Sequence, residues 1–158
     1  MNQHDGVTIE ELSPRLFDDW IALRCSLWPD GSEHERRTEA ESLIQRQREV
    51  TIFLARSPGL VTIGFAEATL RYDYVNGCAT SPVAFLEGIY VQRGWRRRGV
   101  ARRLCDAVEK WASEKGCSEF ASDTEIGNAI SERMHLALGF QESERVVCFC
   151  KQIGGSEP

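Results

Sequence analysis

The stretch Phe85-Leu86-Glu87-Gly88-Ile89-Tyr90-Val91 runs on into Arg96-Arg97-Arg98-Gly99-Val100-Ala101, and that junction restricts the fold more than any other feature of the chain. The first part is apolar, aromatic and β-branched, as a buried strand is; the second is a basic, glycine-bearing turn that opens an amphipathic helix. A strand that enters a helix through such a turn brings consecutive backbone N–H groups and the positive end of the helix dipole to one point. Arg93, Arg96, Arg97, Arg98, Arg102 and Arg103 crowd around it. Cations oppose a helix N-terminus unless an anion lies among them, and a pyrophosphate is the anion this arrangement suits. Glu87 is the one carboxylate of the strand and sits at its exit, beside whatever the anion delivers.

The rest of the chain alternates α and β. Val7 to Glu11 reads as a first strand, and Ser13-Pro14 supplies an N-cap with proline at the first helical position for a helix through Trp20, Leu23 and Leu27 that stops near Trp28-Pro29. A polar helix is expected over Glu33 to Glu49. Strands follow at Thr51 to Ala55, Val61 to Tyr72 and Ala84 to Val91, with Asn76-Gly77 as a turn because both residues tolerate positive φ. Val100, Leu104, Ala107, Val108 and Trp111 recur at helical spacing up to Gly116, where a helix end favours glycine. Ser118 to Ser122 reads as a short strand, Asn128 caps a helix carrying Ile130, Met134 and Leu138, and Gly139-Phe140 ends it before a last strand, Arg145 to Cys150. The expectation is an α/β chain, in the broad α+β sense, with a mixed twisted central sheet flanked by helices and parallel pairing in its C-terminal half.

At 158 residues one domain over 1–158 is enough, with residues 1–6 and 154–158 frayed. Lys and Arg number 19 against 24 Asp and Glu, a net charge of −5. That balance argues against nucleic-acid binding and suits a basic pocket in an acidic body, for an anionic cofactor and a cationic second substrate. No apolar run approaches the ~20 residues that span a bilayer, and the N-terminus lacks a signal peptide's basic start and apolar block, so no membrane association and a cytoplasmic location are expected. The six cysteines form no C-x-x-C pair, so no metal site is expected. Cys148 and Cys150 alternate along the expected last strand and read as buried, reduced thiols.

The Arg96-x-x-Gly99-x-Ala101 turn, the strand before it, Asn128 opening the next helix and Leu138-Gly139-Phe140 closing it resemble the GNAT superfamily of acetyl-coenzyme A-dependent N-acetyltransferases. Asp73-Tyr74-Val75-Asn76-Gly77, Ser81-Pro82-Val83, Phe85-Leu86-Glu87-Gly88, Ala121-Ser122-Asp123-Thr124 and Glu144-Arg145-Val146 are similar to the aminoglycoside 6′-N-acetyltransferases within it. The resemblance implies the GNAT fold, acetyl-CoA as co-substrate, the 6′-amine of an aminoglycoside as acceptor, direct attack in a ternary complex, antibiotic resistance as the outcome, and a homodimer.

The resemblance also assigns roles. The backbone of Ile89, Tyr90 and Val91 takes the pantetheine arm as an added strand. The turn from Arg96 through Arg97, Arg98, Gly99, Val100 and Ala101 to Arg102 holds the pyrophosphate. Asn128 falls where the family touches the cofactor; the same side chain is also a plain N-cap. An ammonium has no lone pair with which to attack a thioester, so a carboxylate must take its proton, directly or through water. Glu87 is the first candidate, set on the face of Ile89 by strand periodicity, with a surface salt bridge as the alternative. Asp123, at the carboxyl end of its strand, is the second, and could instead cap the loop. Glu87 and Asp123 can also simply hold ammonium groups, and with Trp28, Tyr74 and Glu144 they are the implied drug contacts, against core packing for Trp28 and a solvated charge for Glu144. His135 stands where the family commonly has a tyrosine that protonates the departing thiolate, and it could equally be structural. Two other activities fit the same scaffold: acetylation of a protein lysine or N-terminus, and a non-catalytic CoA-binding regulator.

Overall fold

The computed structural model describes residues 6–154. Five strands, β1 (Thr8–Glu11), β2 (Val50–Arg56), β3 (Thr62–Arg71), β4 (Val83–Val91) and β5 (Phe120–Ser122), lie side by side in chain order. The first four pair antiparallel and β4 pairs parallel with β5, so the sheet is mixed as expected. Helices α1 (Phe17–Leu27), α2 (Glu33–Ile44), α3 (Val100–Glu114) and α4 (Ala129–Ala137) flank it.

Helix α3 forms where its apolar stripe demands. Val100, Leu104, Cys105, Val108 and Ala112 are buried along one side and pack on Ala66, Ala68, Leu86, Ile89 and Val91 of the sheet. Gly116, at φ +84°, stops the helix: its N–H donates to the Ser113 carbonyl and that of Cys117 to Ala112. The other face of the sheet, bearing Ile52, Leu54 and Phe65, is covered by α1 through Trp20, Ile21 and Leu23. Alternation along β2 and β3 sends Leu54 and Phe65 to α1 and their neighbours Ala55 and Ala66 to α3.

Two expected helices differ at their ends. Pro14–Leu16 is a 3-10 turn leading into α1, and Ser13 makes no side-chain cap. The polar second helix opens on a full capping box, with the Glu35 N–H donating to Ser32 Oγ at 3.1 Å and the Ser32 N–H to Glu35 Oε2 at 2.6 Å. It ends at Ile44, because Gln47 turns to φ +45° and a 3-10 turn over Gln47–Glu49 reverses the chain into β2.

The last expected strand does not form. Residues 141–153 adopt no regular structure, and Cys148 and Cys150 are exposed, contrary to the buried thiols expected of them. The segment is drawn away from β5 at its root, where Tyr74 Oη and Asn76 Nδ2 donate to the Glu144 carboxylate. Of the termini expected to fray, residues 1–5 and 155–158 lie outside the described residues.

Candidate active site

β4 and β5 share three rungs, Ala84↔Phe120, Phe85↔Ala121 and Leu86↔Ser122, and then part. Among the described residues, no strand neighbours the β5-facing edge of β4 beyond Leu86, while its other edge stays paired with β3 as far as Val91. The fork exposes the main chain of Ile89 to Val91 to any extended ligand that enters between the arms.

Glu87 stands at the mouth of the fork in an unexpected orientation. The β3–β4 register runs Glu67↔Gly88 and then Ala68↔Leu86, so Glu87 is the extra residue of a β-bulge. The bulge breaks the period of two. Ile89 therefore packs with Leu86 under α3, whereas Glu87 turns to the other side, and the expectation of a shared face is corrected. There Thr69 Oγ1 donates to Glu87 Oε1 at 2.5 Å, and Arg71 Nη2 reaches both carboxylate oxygens at 3.1 Å. The Glu87 side chain keeps 27% of its surface exposed, so it is held by two donors and still open to solvent.

Gly88, next along the bulge, makes room for Trp28 at the end of α1. A Cβ there would lie 2.6 Å from Trp28 Cη2, well inside contact distance. The indole meets Phe65 edge-on at 6.4 Å and has the Arg24 guanidinium 4.8 Å from its centre. Arg24 is itself buried in an ion pair with Glu67, which also accepts from Trp20 Nε1 at 3.1 Å. Burial pushes the Glu67 carboxyl up, and the charge and hydrogen bonds of Arg24 act against that shift. A charged pair on the α1 side of the sheet thus supports the indole from below.

Asp123 is exposed and one residue past the last rung, on the β5 arm of the fork. Glu144 joins from the C-terminal segment, accepting from Tyr74 Oη at 3.4 Å and Asn76 Nδ2 at 3.0 Å. Tyr74, Asp123 and Glu144 border one groove of about 720 Å³, with Arg71 and His135 also on its wall. His135 is engaged at both ring nitrogens. Nδ1 lies 2.8 Å from the Ser131 carbonyl, which can only accept, so the proton is on Nδ1; Nε2 is 2.8 Å from Ser122 Oγ. The Ser122 hydroxyl in turn lies 3.3 Å from the Leu86 carbonyl, linking His135 to the last rung of the fork. Asn128 caps α4, its Oδ1 accepting from the Ser131 N–H at 3.1 Å.

At the far end of β4 the bend into α3 has two residues in the left-handed region, Arg97 at φ +60° and Gly99 at φ +75°. Gly99 is the N-cap and offers no side chain to the first turn, so the leading N–H groups of α3 are left for an incoming anion. The arginines are less available than their number suggests. Arg96 Nε donates to the Val91 carbonyl at 2.8 Å, Arg103 Nη1 to Val7 at 2.7 Å, and Arg102 to the Ala137 carbonyl. Arg98 lies over Trp95 at 5.1 Å. The anion cradle is therefore chiefly main chain, with the guanidinium groups bracing it, and it fits a diphosphate carried by a ligand laid along β4.

Reading the sequence alone misses Thr69, Arg71, Gly88, Ser122 and the Arg24–Glu67 pair. Arg71 ends a strand in front of Tyr72-Asp73-Tyr74, and Gly88 interrupts an apolar strand, which by itself signals a bulge or a close approach. Nothing local marks Glu67 and Arg24, which meet across 43 positions.

Residues 16–140 match the family model described as the acetyltransferase (GNAT) family. A curated "Aminoglycoside N(6')-acetyltransferase type 1" from Serratia marcescens is 52% identical over 138 residues, covering 87% of this chain and 94% of its own. Aminoglycoside antibiotic 6'-N-acetyltransferase AAC(6')-Ih from Acinetobacter baumannii has a solved structure that superimposes with a TM-score of 0.89 at 48% identity, over 94% of this chain and 100% of its own. That of AAC(6')-Iy in complex with a bisubstrate analog, CoA-S-monomethyl-acetylneamine, gives 0.86 at 44% identity, over 92% and 98%.

Proposed function

The chain belongs to the GNAT acetyltransferase family, and from that membership we propose that it moves acetyl from acetyl-CoA to the 6′-amine of aminoglycosides by direct attack within a ternary complex. One juxtaposition supports this most: a main-chain anion cradle at Arg97–Gly99 and a forked strand lead to a mouth flanked by Glu87 and Asp123. Acetyl-CoA supplies the activated acyl group and a thiol as leaving group. The N–H groups of the Arg97–Arg102 bend bind its diphosphate, and the free edge of Ile89 to Val91 aligns its arm. A main-chain N–H of the same edge stabilises negative charge as it develops on the acyl oxygen.

The carboxylates handle the amine. Glu87 and Asp123 bind the ammonium form, and Glu87, directly or through a water, accepts the proton whose removal frees the lone pair. Arg71 Nη2 reaches both Glu87 oxygens, so an ammonium that pairs with Glu87 competes with this guanidinium. Trp28 and Tyr74 offer flat faces to the sugar rings, and Glu144 pairs with a second ammonium. As an imidazolium, His135 passes its Nε2 proton through Ser122 to the departing thiolate and keeps the Nδ1 proton on the Ser131 carbonyl. Asn128 contacts the cofactor with the amide nitrogen that its capping role leaves over. The reading includes a cytoplasmic location, a homodimer and antibiotic resistance, since neutralising the amine weakens attraction to RNA phosphates.

The test is CoA thiol release with aminoglycosides that carry or lack the 6′-amine. Release that requires that amine is expected; equal release without it overturns the regiochemistry. Faster turnover of peptides would transfer the reading to protein acetylation, and acetyl-CoA binding without release under any amine to a regulator.

A further inference from the structure

Glu119 stands one residue before β5, and its main chain and side chain hold different partners. Its carbonyl accepts from the Ala84 N–H at 3.2 Å, which fixes its backbone to the start of β4. Its carboxylate reaches back 40 positions to the loop between β3 and β4. There the Ala79 N–H donates to Oε1 at 3.2 Å and to Oε2 at 3.0 Å, the Thr80 N–H donates to Oε2 at 2.7 Å, and Thr80 Oγ1 donates to that same oxygen. Hydrogen bonds to a charged acceptor are the strong ones. The three donors, Thr80 Oγ1 foremost, hold the Glu119 carboxyl below the usual carboxylate range, so it is ionised and fully engaged at neutral pH.

The loop so gripped, residues 72–82, carries Tyr74. Other contacts fold it on itself and against β4: Ser81 Oγ donates to the Tyr72 carbonyl at 2.9 Å, the Cys78 N–H to the Val75 carbonyl at 3.0 Å, and Val75 packs with Val83 and Phe85. Glu119 joins it by hydrogen bonds to the β5 arm, helped by Ser118 Oγ at 3.5 Å from Thr80 Oγ1. Asp123 lies on that arm, just beyond the last rung with β4. The short segment 119–123 therefore carries Asp123 at one end and clasps the Tyr74 loop at the other. Tyr74, Glu119 and Asp123 border the same groove. Glu119 differs from Asp123 in that the protein's own donors already engage its oxygens, which makes it a clasp and not an ammonium site.

We propose that Glu119 is a positioning residue of the acceptor cleft: by clasping Ala79 and Thr80 it fixes the spacing between the Tyr74 loop and Asp123. The part played by Tyr74 and Asp123 rests on the proposed function; the clasp itself does not. The side chain touches no reacting atom. It orders in advance a wall that each arriving drug would otherwise have to order, and such pre-organisation raises affinity without adding a contact. Two substitutions separate position from charge. Glu119→Gln can place its carbonyl where Oε2 stands and keep the three donors without the charge. Glu119→Asp keeps the charge but is one methylene too short to reach them.

Hydrogen exchange and drug calorimetry on the full chain test this without acetyl transfer, and KM values give a third readout. In Glu119→Ala the Ala79 and Thr80 amides should exchange at least about tenfold faster, the least that loss of a hydrogen bond to a charged group implies. Aminoglycoside Kd and KM should rise at least about fivefold, the low end of typical coupling between separate sites, with the KM for acetyl-CoA unchanged. Glu119→Asp should behave like Glu119→Ala, and Glu119→Gln should recover most of the protection and of the drug affinity. If Glu119→Ala does not fold, Glu119→Asp and Glu119→Gln decide between them. Unchanged amide exchange overturns the clasp. Freed amides with an unchanged drug Kd leave Glu119 a structural role only, and a Glu119→Gln as weak as Glu119→Ala beside an intact Glu119→Asp assigns the effect to charge; either result overturns the proposal. A wild type that binds no aminoglycoside, while its 79 and 80 amides still answer to Glu119, overturns the acceptor reading and the positioning role with it.

Discussion

Gly88→Ala tests whether the bulge and Trp28 form one unit. Gly88 does not occupy the left-handed region, so alanine meets no backbone penalty and the effect is purely steric. The new Cβ would lie 2.6 Å from Trp28 Cη2, 2.8 Å from Cζ2 and 3.0 Å from Leu27 Cδ2. Relief to ordinary contact requires the indole to retreat by about 1 Å, and it is backed by Phe65 and Arg24. Overpacking of this kind costs about 1–3 kcal/mol. The stiffer unfolded chain returns about 0.4–1 kcal/mol, which leaves a net loss of about 0.5–2 kcal/mol. With a urea slope of about 1–3 kcal/mol per molar, the midpoint should fall by roughly 0.5 M. Kinetically, KM for the drug should rise while that for acetyl-CoA holds, because the displaced ring is the one proposed above to face the sugar. Trp28→Phe removes the clashing ring atoms, so the double variant should recover part of the stability lost to Gly88→Ala. A neutral Gly88→Ala with unchanged drug KM would refute the coupling.

Glu87→Gln and Asp123→Asn should each lower kcat/KM at least about tenfold in the thiol-release assay, and rates unchanged in both would remove these carboxylates from the mechanism. Glu67→Leu leaves the buried Arg24 with only the half-exposed Glu39 carboxylate, 3.3 Å from Nη2, as its ion-pair partner and should cost at most about 3–5 kcal/mol in urea unfolding, whereas an exposed pair such as Arg145–Glu142 should cost little. Gly99→Ala places a Cβ on a residue at φ +75° and distorts the cradle; calorimetry should record weaker acetyl-CoA binding, with drug KM little changed. Burial pushes the Cys105 thiol up to about 12. Its contribution to stability is complete below the unfolded thiol's value of about 8.5 and is lost as pH climbs toward about 12, so Cys105→Ala should flatten the alkaline fall in Tm.

The strand-turn-helix unit around Arg96–Ala101 was legible because each of its signals is local: an apolar run, a glycine that takes positive φ, and a helical stripe ending at Gly116. The start of the polar helix at Glu33 is legible for the same reason, and the alternation of strand and helix after β4 makes the parallel pairing with β5 legible. The orientation of Glu87 was not. A period of two holds only while the ladder is regular, and the extra residue opposite Glu67 and Ala68 reverses it. Gly88 carried a hint of that bulge, but the cause of its smallness is Trp28, which arrives from α1. Arg96, Arg102 and Arg103 were read as charge for an anion, whereas carbonyls contributed by β4, α4 and Val7 take up their donors. Arg145 to Cys150 reads as a last strand from its composition, yet it adopts no regular structure and the sheet ends at β5. Periodicity reports what a segment can pair as, and says nothing of which edge it reaches.

The central claim is that the fork delivers an acetyl group to one particular amine. Two-dimensional NMR of the product formed from acetyl-CoA and a 6′-amino aminoglycoside tests it most directly. The account predicts a single acetamide, with its carbonyl correlated to the 6′ methylene protons. An acetyl group on any other nitrogen, or a mixture of positions, would contradict it.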